Sequence, residues 1–338
     1  MNIKSLPKAN LGFFPTPVVK LSRLSSVLGG PKIFMKRDDL TGLAFGGNKT
    51  RKLEFLLQDA IDRGSDTVIT AGASQSNHCR QTAAAAACLQ LECHLVLGGE
   101  SPEIANGNLL LDNLLGSQIH WAGANRKGED IPQIFEQLKA KGKNPYVVPY
   151  GGSNELGAYA FIRALEELEQ QVEISQFSHI VFASSSGGTH AGLMLGKALL
   201  NRRYSLVGIS IDKGETGDVP FDAVIVHLAN KTSNFINADV TFTDKDLILD
   251  RNYVGDGYGV IGELEIEAIS LTAKHEGILL DPVYTGRAMG GLINMIRSGK
   301  LTKEDKVLFW HTGGAPSLFA YADSLTAMGR PGHRILMA

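Results

Sequence analysis

The residue in this chain best placed for covalent chemistry is Lys49, within Gly46-Gly47-Asn48-Lys49-Thr50-Arg51-Lys52 and shortly after a strand-like run at 33–36. Glycines on its N-terminal side let the backbone take positive φ and let a flat ligand come close. The preceding Leu43, Ala44 and Phe45 are expected to strip water from the ammonium, favouring the neutral amine that attacks an aldehyde. Two other readings compete. Gly42 to Thr50 nearly spells a phosphate-binding G-x-x-x-x-G-K-T loop, but Asn48 stands where that loop needs its lysine, one residue out of register. A surface turn with solvated lysines is also compatible with these residues alone.

Two further corners have the chemistry of ligand contacts. Ser74-Gln75-Ser76-Asn77-His78 separates an apolar strand from an alanine-rich helical run, so free amides at the helix start suit a carboxylate. Ser76 or Asn77 also suits a helix cap, and the two roles are compatible. Ser184-Ser185-Ser186-Gly187-Gly188-Thr189 likewise leads from an apolar strand into an apolar helix. Hydroxyls, glycines and helix-start amides together make a phosphate cradle, and the absence of a G-x-G-x-x-G or P-loop pattern favours a lone phosphate monoester. A plain tight turn is the alternative there.

The elements that must position these corners alternate. Strands are expected at 67–71, 93–97, 119–121, 146–149, 180–183, 205–211 and 306–310, and helices at 52–63, 80–89, 131–141, 156–170, 191–201, 264–275 and 289–297. This pattern predicts an α/β protein with open, mostly parallel sheets flanked by helices. Residues 52–158 read as a smaller inserted α/β domain, and 1–51 with 159–338 as a larger one, with Lys49 and the Ser76 turn on facing lips of a cleft. Ligands of such sheets lie at the carboxyl ends of strands.

A length of 338 residues suits about two domains. A hydrophobic content of 43% and a charged content of 20% are ordinary for a globular enzyme. The formal charge of -2 supplies no electrostatic reason for nucleic acid or an anionic membrane as partner, so a small-molecule ligand is expected. Cys79, Cys88 and Cys93 cannot all pair, and no signal-like segment precedes Pro7, which together predict a reducing cytoplasm. No apolar run approaches the roughly 20 residues of a membrane span. The spacings among His78, Cys79, Cys88, Cys93 and His94 match no zinc pattern.

A nucleophilic lysine, a monophosphate corner and a carboxylate corner are what an enzyme needs to hold pyridoxal phosphate beside an amino acid. The chain resembles the 1-aminocyclopropane-1-carboxylate deaminase and D-cysteine desulfhydrase family from about Pro15 to Tyr321. The likeness rests on six ordered motifs: Lys36-Arg37-Asp38-Asp39, the G-G-N-K-T-R-K-L-E run, Q-S-N, S-S-G-G-T, D-P-V-Y-T-G and H-T-G-G-A-P. It implies a tryptophan synthase β-like, fold type II architecture and homodimers or larger assemblies. It further implies that Lys49 carries pyridoxal 5'-phosphate, that Asn77 contacts its phenolic oxygen, and that Ser185, Ser186, Gly187, Gly188 and Thr189 hold its phosphate with help from Lys52. Ser76, Asn77 and His78 would meet the substrate, and Tyr258 and Tyr284 match the family's two active-site tyrosines. Either tyrosine alone reads equally as a half-buried core aromatic.

At Thr285 and Thr312 the family's deaminases carry glutamate and leucine, and this chain has the desulfhydrase pair. A carboxylate beside the ring nitrogen favours its protonated form, whereas a hydroxyl tolerates a neutral ring and a weaker electron sink. The implied activity is α,β-elimination from a small amino acid, foremost D-cysteine, to pyruvate, sulfide and ammonia. L-cysteate sulfo-lyase and 1-aminocyclopropane-1-carboxylate deaminase are the related alternatives. A nucleotide switch using Asp212, or a sensor without turnover, are the alternatives from other classes. Val260-Ile261-Gly262-Glu263 and Arg287 depart from the family's usual proline-asparagine-glutamate turn and lysine, which leaves the leaving group open.

Overall fold

The computed structural model describes residues 5–212 and 219–327. Ten strands form two sheets. They are β1 (Val18–Lys20), β2 (Lys32–Arg37), β3 (Thr67–Ala73), β4 (Glu92–Gly98), β5 (Gln118–Trp121), β6 (Pro145–Val147), β7 (His179–Ser184), β8 (Ser205–Ser210), β9 (Ile248–Asp250) and β10 (Lys306–His311). The six-stranded sheet has the order β1-β2-β10-β7-β8-β9, parallel except for the antiparallel edge strand β1. The four-stranded sheet, β5-β4-β3-β6, is wholly parallel and drawn entirely from residues 67–147.

Side chains of the central strands alternate between two cores, as the period of two requires. Val181, Ala183, Val207, Ile209, Val307 and Phe309 face one apolar cluster; Ile180, Phe182, Leu206, Leu308 and Trp310 face the other. Both faces are therefore covered, by helices that include Thr285–Arg297 on one side and Glu155–Gln171 with Gly188–Leu199 on the other. The small sheet packs Leu95 and Leu97 against the helices Lys49–Asp62 and Asn77–Cys88. The alanines of the latter keep it close to the strands.

Among the described residues seven strands and α-helices go beyond the pattern expected from sequence: β1, β9 and the helices Ser22–Leu28, Gly107–Leu114, Phe221–Phe235, Ser317–Ala320 and Ala322–Ala327. Two are three-residue edge strands, too short to show a period. The helix expected from residue 52 begins instead at Lys49, so this lysine stands in a first helical turn. Among the described residues no helix is long and apolar enough to cross a membrane, and no cluster of three or more His, Cys, Asp or Glu side chains is placed to hold a metal ion.

β2, β10 and β7 are neighbours, so the loops leaving their carboxyl ends converge. A buried ionic quartet pins this end. Arg51 donates from Nε and Nη2 to the two carboxylate oxygens of Asp38 (2.9 and 2.8 Å), and from Nη1 and Nη2 to Glu167 (2.8 Å each). Lys36 donates to Glu167 at 2.5 Å, and the Trp310 indole N–H to Asp38 at 2.8 Å. The Lys36-Arg37-Asp38-Asp39 segment thereby grips the helix that Lys49 opens.

Candidate functional site

A partly enclosed cavity, with about 610 Å³ of empty space including its mouth, lies where these loops meet the Asn77–Cys88 helix. Its lining gathers Lys49, Ser76, Asn77, His78, Ser185, Ser186, Gly187, Thr189, Tyr284 and Thr312 from the residues singled out above. Lys52, Gly188, Tyr258 and Thr285 stand behind that lining. Asn48, Tyr150, Gly151, Ala183, Ser184 and His190 complete it.

Lys49 is held by its neighbours' backbone. Asn48 donates its amide to Thr312 O at 3.0 Å and its side-chain nitrogen to Thr189 Oγ1 at 3.2 Å. Gly47 (φ 132°) and Gly313 (φ 90°) touch, and a Cβ on Gly313 would lie 2.7 Å from the Gly47 Cα, so only glycines allow these two loops to meet. Burial lowers the Lys49 amine to about 8, partly offset by its hydrogen bond with Lys52. Lys52 is pushed well below its ordinary value by burial and then by the charge of Lys49. The drying does not come from residues 43–45. None of them lines the cavity, and Phe45 is 66% exposed. Chain folding, not local sequence, brings the apolar and backbone surface that covers the amine.

The corner at 184–189 has the shape of an anion cradle. Gly187 (φ 86°) turns the chain into the Gly188–Leu199 helix. Among the described residues no acceptor meets the amides of Ser186, Gly187 and Thr189. Ser153 accepts from the Gly188 amide (3.1 Å) and donates to Ser186 Oγ (2.8 Å), and Lys52 donates to Gly151 O (3.0 Å). A Cβ on Gly188 would lie 2.7 Å from Ser153 Oγ and 2.9 Å from Lys52 Nζ, so a side chain would fill the cradle. Gly151 and Ser153 were not among the site residues singled out from sequence; their Gly-Gly-Ser chemistry, like that of the Ser-Gly-Gly corner, is the signal that could have placed them here.

Opposite, Ser76 caps the Asn77–Cys88 helix, its Oγ accepting from the Cys79 amide at 3.2 Å. Asn77 Oδ1 accepts from Asn108 at 2.9 Å, which aims its NH₂ elsewhere. Thr70 spends its hydroxyl proton on Val148 O (2.7 Å), so His78 Nε2, 2.9 Å away, must be the donor to Thr70. Burial and the two lysines push the His78 pKa well down, so the ring is neutral, and its buried Nδ1 lone pair has no partner among the described residues. His190, which sequence reasoning missed, is also neutral. Burial lowers it to about 3, with Nδ1 3.0 Å from Ser184 Oγ.

On the third side the hydroxyls of Tyr258 and Tyr284 lie 2.6 Å apart, and burial raises both phenols above their ordinary range. Arg287 explains the two departures in this region as one unit. It is buried and donates to Ile211 O (2.7 Å), Gly257 O (2.9 Å), Val260 O (2.6 Å) and Glu265 (2.6 Å), fixing the turn that carries Tyr258. Thr285 donates to Asp281 Oδ1 (2.7 Å) and accepts from the Asp281 amide (2.8 Å). Thr312 is the one of the two threonines that lines the cavity. Asp212 is taken by Arg126 at 2.5 Å, which removes it as the metal partner of a nucleotide switch.

The family described as "Pyridoxal-phosphate dependent enzyme" matches residues 9–313. The chain is 44% identical over 328 residues to the D-cysteine desulfhydrase of Klebsiella pneumoniae strain 342, covering 95% of this chain and 98% of that one. This chain belongs to the pyridoxal-phosphate-dependent enzymes. A solved structure of an ACC deaminase homologue superposes with a TM-score of 0.87 at 39% identity, over 95% of this chain and 96% of that one. Threonine deaminase isoform 2 from Solanum lycopersicum shares the fold at 18% identity, with a TM-score of 0.62 over 93% and 82% of the two chains. The architecture is accordingly fold type II, in the deaminase and desulfhydrase branch of the family.

The site fits the cofactor of this family: an amine near neutrality, amides without acceptors among the described residues at a helix start, and a cradle that a Cβ on Gly188 would fill. Because only the free amine attacks the cofactor's aldehyde, its capture by apoenzyme is expected to quicken as pH rises through about 8 and to level off above. Stopped-flow absorbance after mixing apoenzyme with cofactor checks this. A rate that ignores pH across that interval would mean that Lys49 is not the desolvated group described.

Proposed function

We propose that this chain is a D-cysteine desulfhydrase, which eliminates thiolate from the β-carbon of D-cysteine to leave pyruvate, sulfide and ammonia. The observation that carries the reading is that, among the described residues, those lining the cavity include a low-pKa lysine and a phenol but no carboxylate. Bound pyridoxal phosphate supplies an electron sink to the substrate's α-carbon. Lys49 would hold the cofactor through its amine, and the same amine, when free, would take the α-proton. Ser76 and the amides after it hold the substrate carboxylate at the start of the Asn77–Cys88 helix. Asn77, fixed by Asn108, addresses the ring, and the bare Nδ1 of His78 offers an acceptor to the substrate side. Ser185, Ser186, Gly187, Gly188 and Thr189 hold the phosphate with Lys52 behind them, and Thr285 and Thr312 keep hydroxyls near the ring nitrogen. Tyr284, which lines the cavity, delivers a proton to the leaving sulfur, supported by Tyr258.

A neutral ring environment suits a substrate whose leaving group departs readily and disfavours opening an unactivated cyclopropane. Purified holoenzyme given D-cysteine is expected to form pyruvate and sulfide in equal amounts, and to form no α-keto acid from 1-aminocyclopropane-1-carboxylate. Keto acid from the cyclopropane, or sulfite from L-cysteate at a higher kcat/KM, would replace this reading. We further read residues 52–158 as an inserted domain, with the helices Lys49–Asp62 and Glu155–Gln171 running through its two boundaries. We take the working form to be a cytoplasmic homodimer.

A further inference from the structure

We propose that Arg126 is a positioning residue for the proton-donating tyrosine pair: its guanidinium, brought from the loop after β5, stabilises negative charge on Tyr258 and so makes Tyr284 a better acid toward the leaving group. The proposal rests on the desulfhydrase reading above.

The contacts form one line into the cavity. Arg126 Nη2 pairs with Asp212, beyond the end of β8, at 2.5 Å, and the Arg126 Cζ lies 4.3 Å from the centroid of the Tyr258 ring. The Tyr258 hydroxyl meets that of Tyr284 at 2.6 Å, and Tyr284 lines the cavity with Lys49. Only one nitrogen of the guanidinium bonds Asp212, and its buried Nη1 has no partner among the described residues, so the cation is incompletely neutralised where it covers the ring. Among the described residues the other titratable groups acting on Tyr258 are Tyr150 and Tyr321, neutral phenols that disfavour its ionisation, and Tyr284, whose hydrogen bond favours it. Among the described residues Arg126 is the cation that favours it.

The proton inventory closes. As the Cβ–S bond breaks, its electron pair leaves with sulfur, which takes the proton of Tyr284. The Tyr258 proton crosses the hydrogen bond, whose oxygens lie 2.6 Å apart, to the Tyr284 oxygen. Charge then rests on Tyr258, beside Arg126, until solvent returns a proton. Because Arg126 and Asp212 come from loops of different sheets, the pair also makes the acidity of the phenols depend on the two sheets being brought together.

The test compares D-cysteine with β-chloro-D-alanine, whose chloride needs no proton to depart. In holoenzyme, Arg126→Gln is expected to lower kcat for D-cysteine about tenfold, equivalent to about one pH unit of lost acidity, with little change in KM and little effect on the chloride substrate. Arg126→Lys should restore most of the rate. In a Tyr258→Phe background, Arg126→Gln should add nothing further. The phenolic-carbon resonance of isotope-labelled Tyr258, assigned with Tyr258→Phe, should move in Arg126→Gln without any turnover. If Arg126→Gln does not fold, Arg126→Met is read in its place. Equal losses on both substrates, multiplying losses in the double variant, or an unmoved resonance would each overturn the proposal. Absence of pyruvate from D-cysteine with wild-type enzyme would instead defeat the desulfhydrase reading, and the resonance experiment would still decide on Arg126.

Discussion

Lys49→Ala is expected to lower pyruvate formation from D-cysteine by at least about 10³-fold, because proton transfer by a placed group alone contributes 10²–10⁴ and the covalent anchor goes with it. The loss should fall on kcat. Exogenous cofactor still finds the cradle at residues 185–189, but it washes out on gel filtration and leaves no lysine-linked absorbance. Folding should not suffer. The Lys49 amine is desolvated, and its charge helps to push Lys52 far down, so removing it relieves a repulsion inside the site. A Lys49→Ala protein that melts like wild type but keeps the lysine-linked absorbance would show that another amine holds the cofactor. One that melts much lower would show that Lys49 has a packing role not evident from its contacts.

Arg51→Ala is expected to cost about 3–5 kcal/mol of stability, the range for removing one partner of a buried pair. It would leave Asp38 fully buried with Trp310 Nε1–H and Thr16 Oγ1–H as its remaining hydrogen-bond donors, and Glu167 with Lys36 and Thr16. Burial alone would raise the Asp38 carboxyl. The Arg51 guanidinium, together with Lys36 and the Trp310 indole, more than reverses this and holds it below the usual carboxylate value. The sign of the pH effect follows. A carboxyl depressed in the folded state contributes stability above its unfolded pKa of about 3.9, and that contribution fades as pH falls through the folded value. Without Arg51 the carboxyl is raised relative to wild type, so the variant is worst near neutrality, and its deficit should shrink on acidification through about pH 4 and below. Urea midpoints of both proteins across that interval measure it. Arg51→Ala with Asp38→Asn should recover part of the loss, since no buried charge is then stranded. A deficit below about 1 kcal/mol that does not change with pH would mean that the quartet is solvated.

Much of this architecture was legible because it is written in local periods. Runs such as 180–183 and 306–310 are apolar on both faces, which identifies central parallel strands, and the first is followed by a helical period. The helix Phe221–Phe235 was harder, since Val224, Ile225, Val226 and Thr232 suit a strand as well and no polar residue caps its start. The ligand-type corners were legible for a similar reason. Glycines, hydroxyls and a lysine crowded at strand ends have few purposes in a packed sheet, and the cavity draws most of them together.

What lay beyond the sequence is whatever depends on which distant groups meet. Nothing local says that Trp310 donates to Asp38, 272 residues away, or that Arg126 covers Tyr258. Ser153 and His190 gain their place at the cavity in the same way. The amino-acid order determined the elements, the corners and the chemical types available to them, because those follow from backbone preference and period. Only the assembled fold decided which lysine is dry, which histidines are neutral and which carboxylate is paired. Desolvation and charge pairing are properties of neighbours in space, and these neighbours come from opposite ends of the chain.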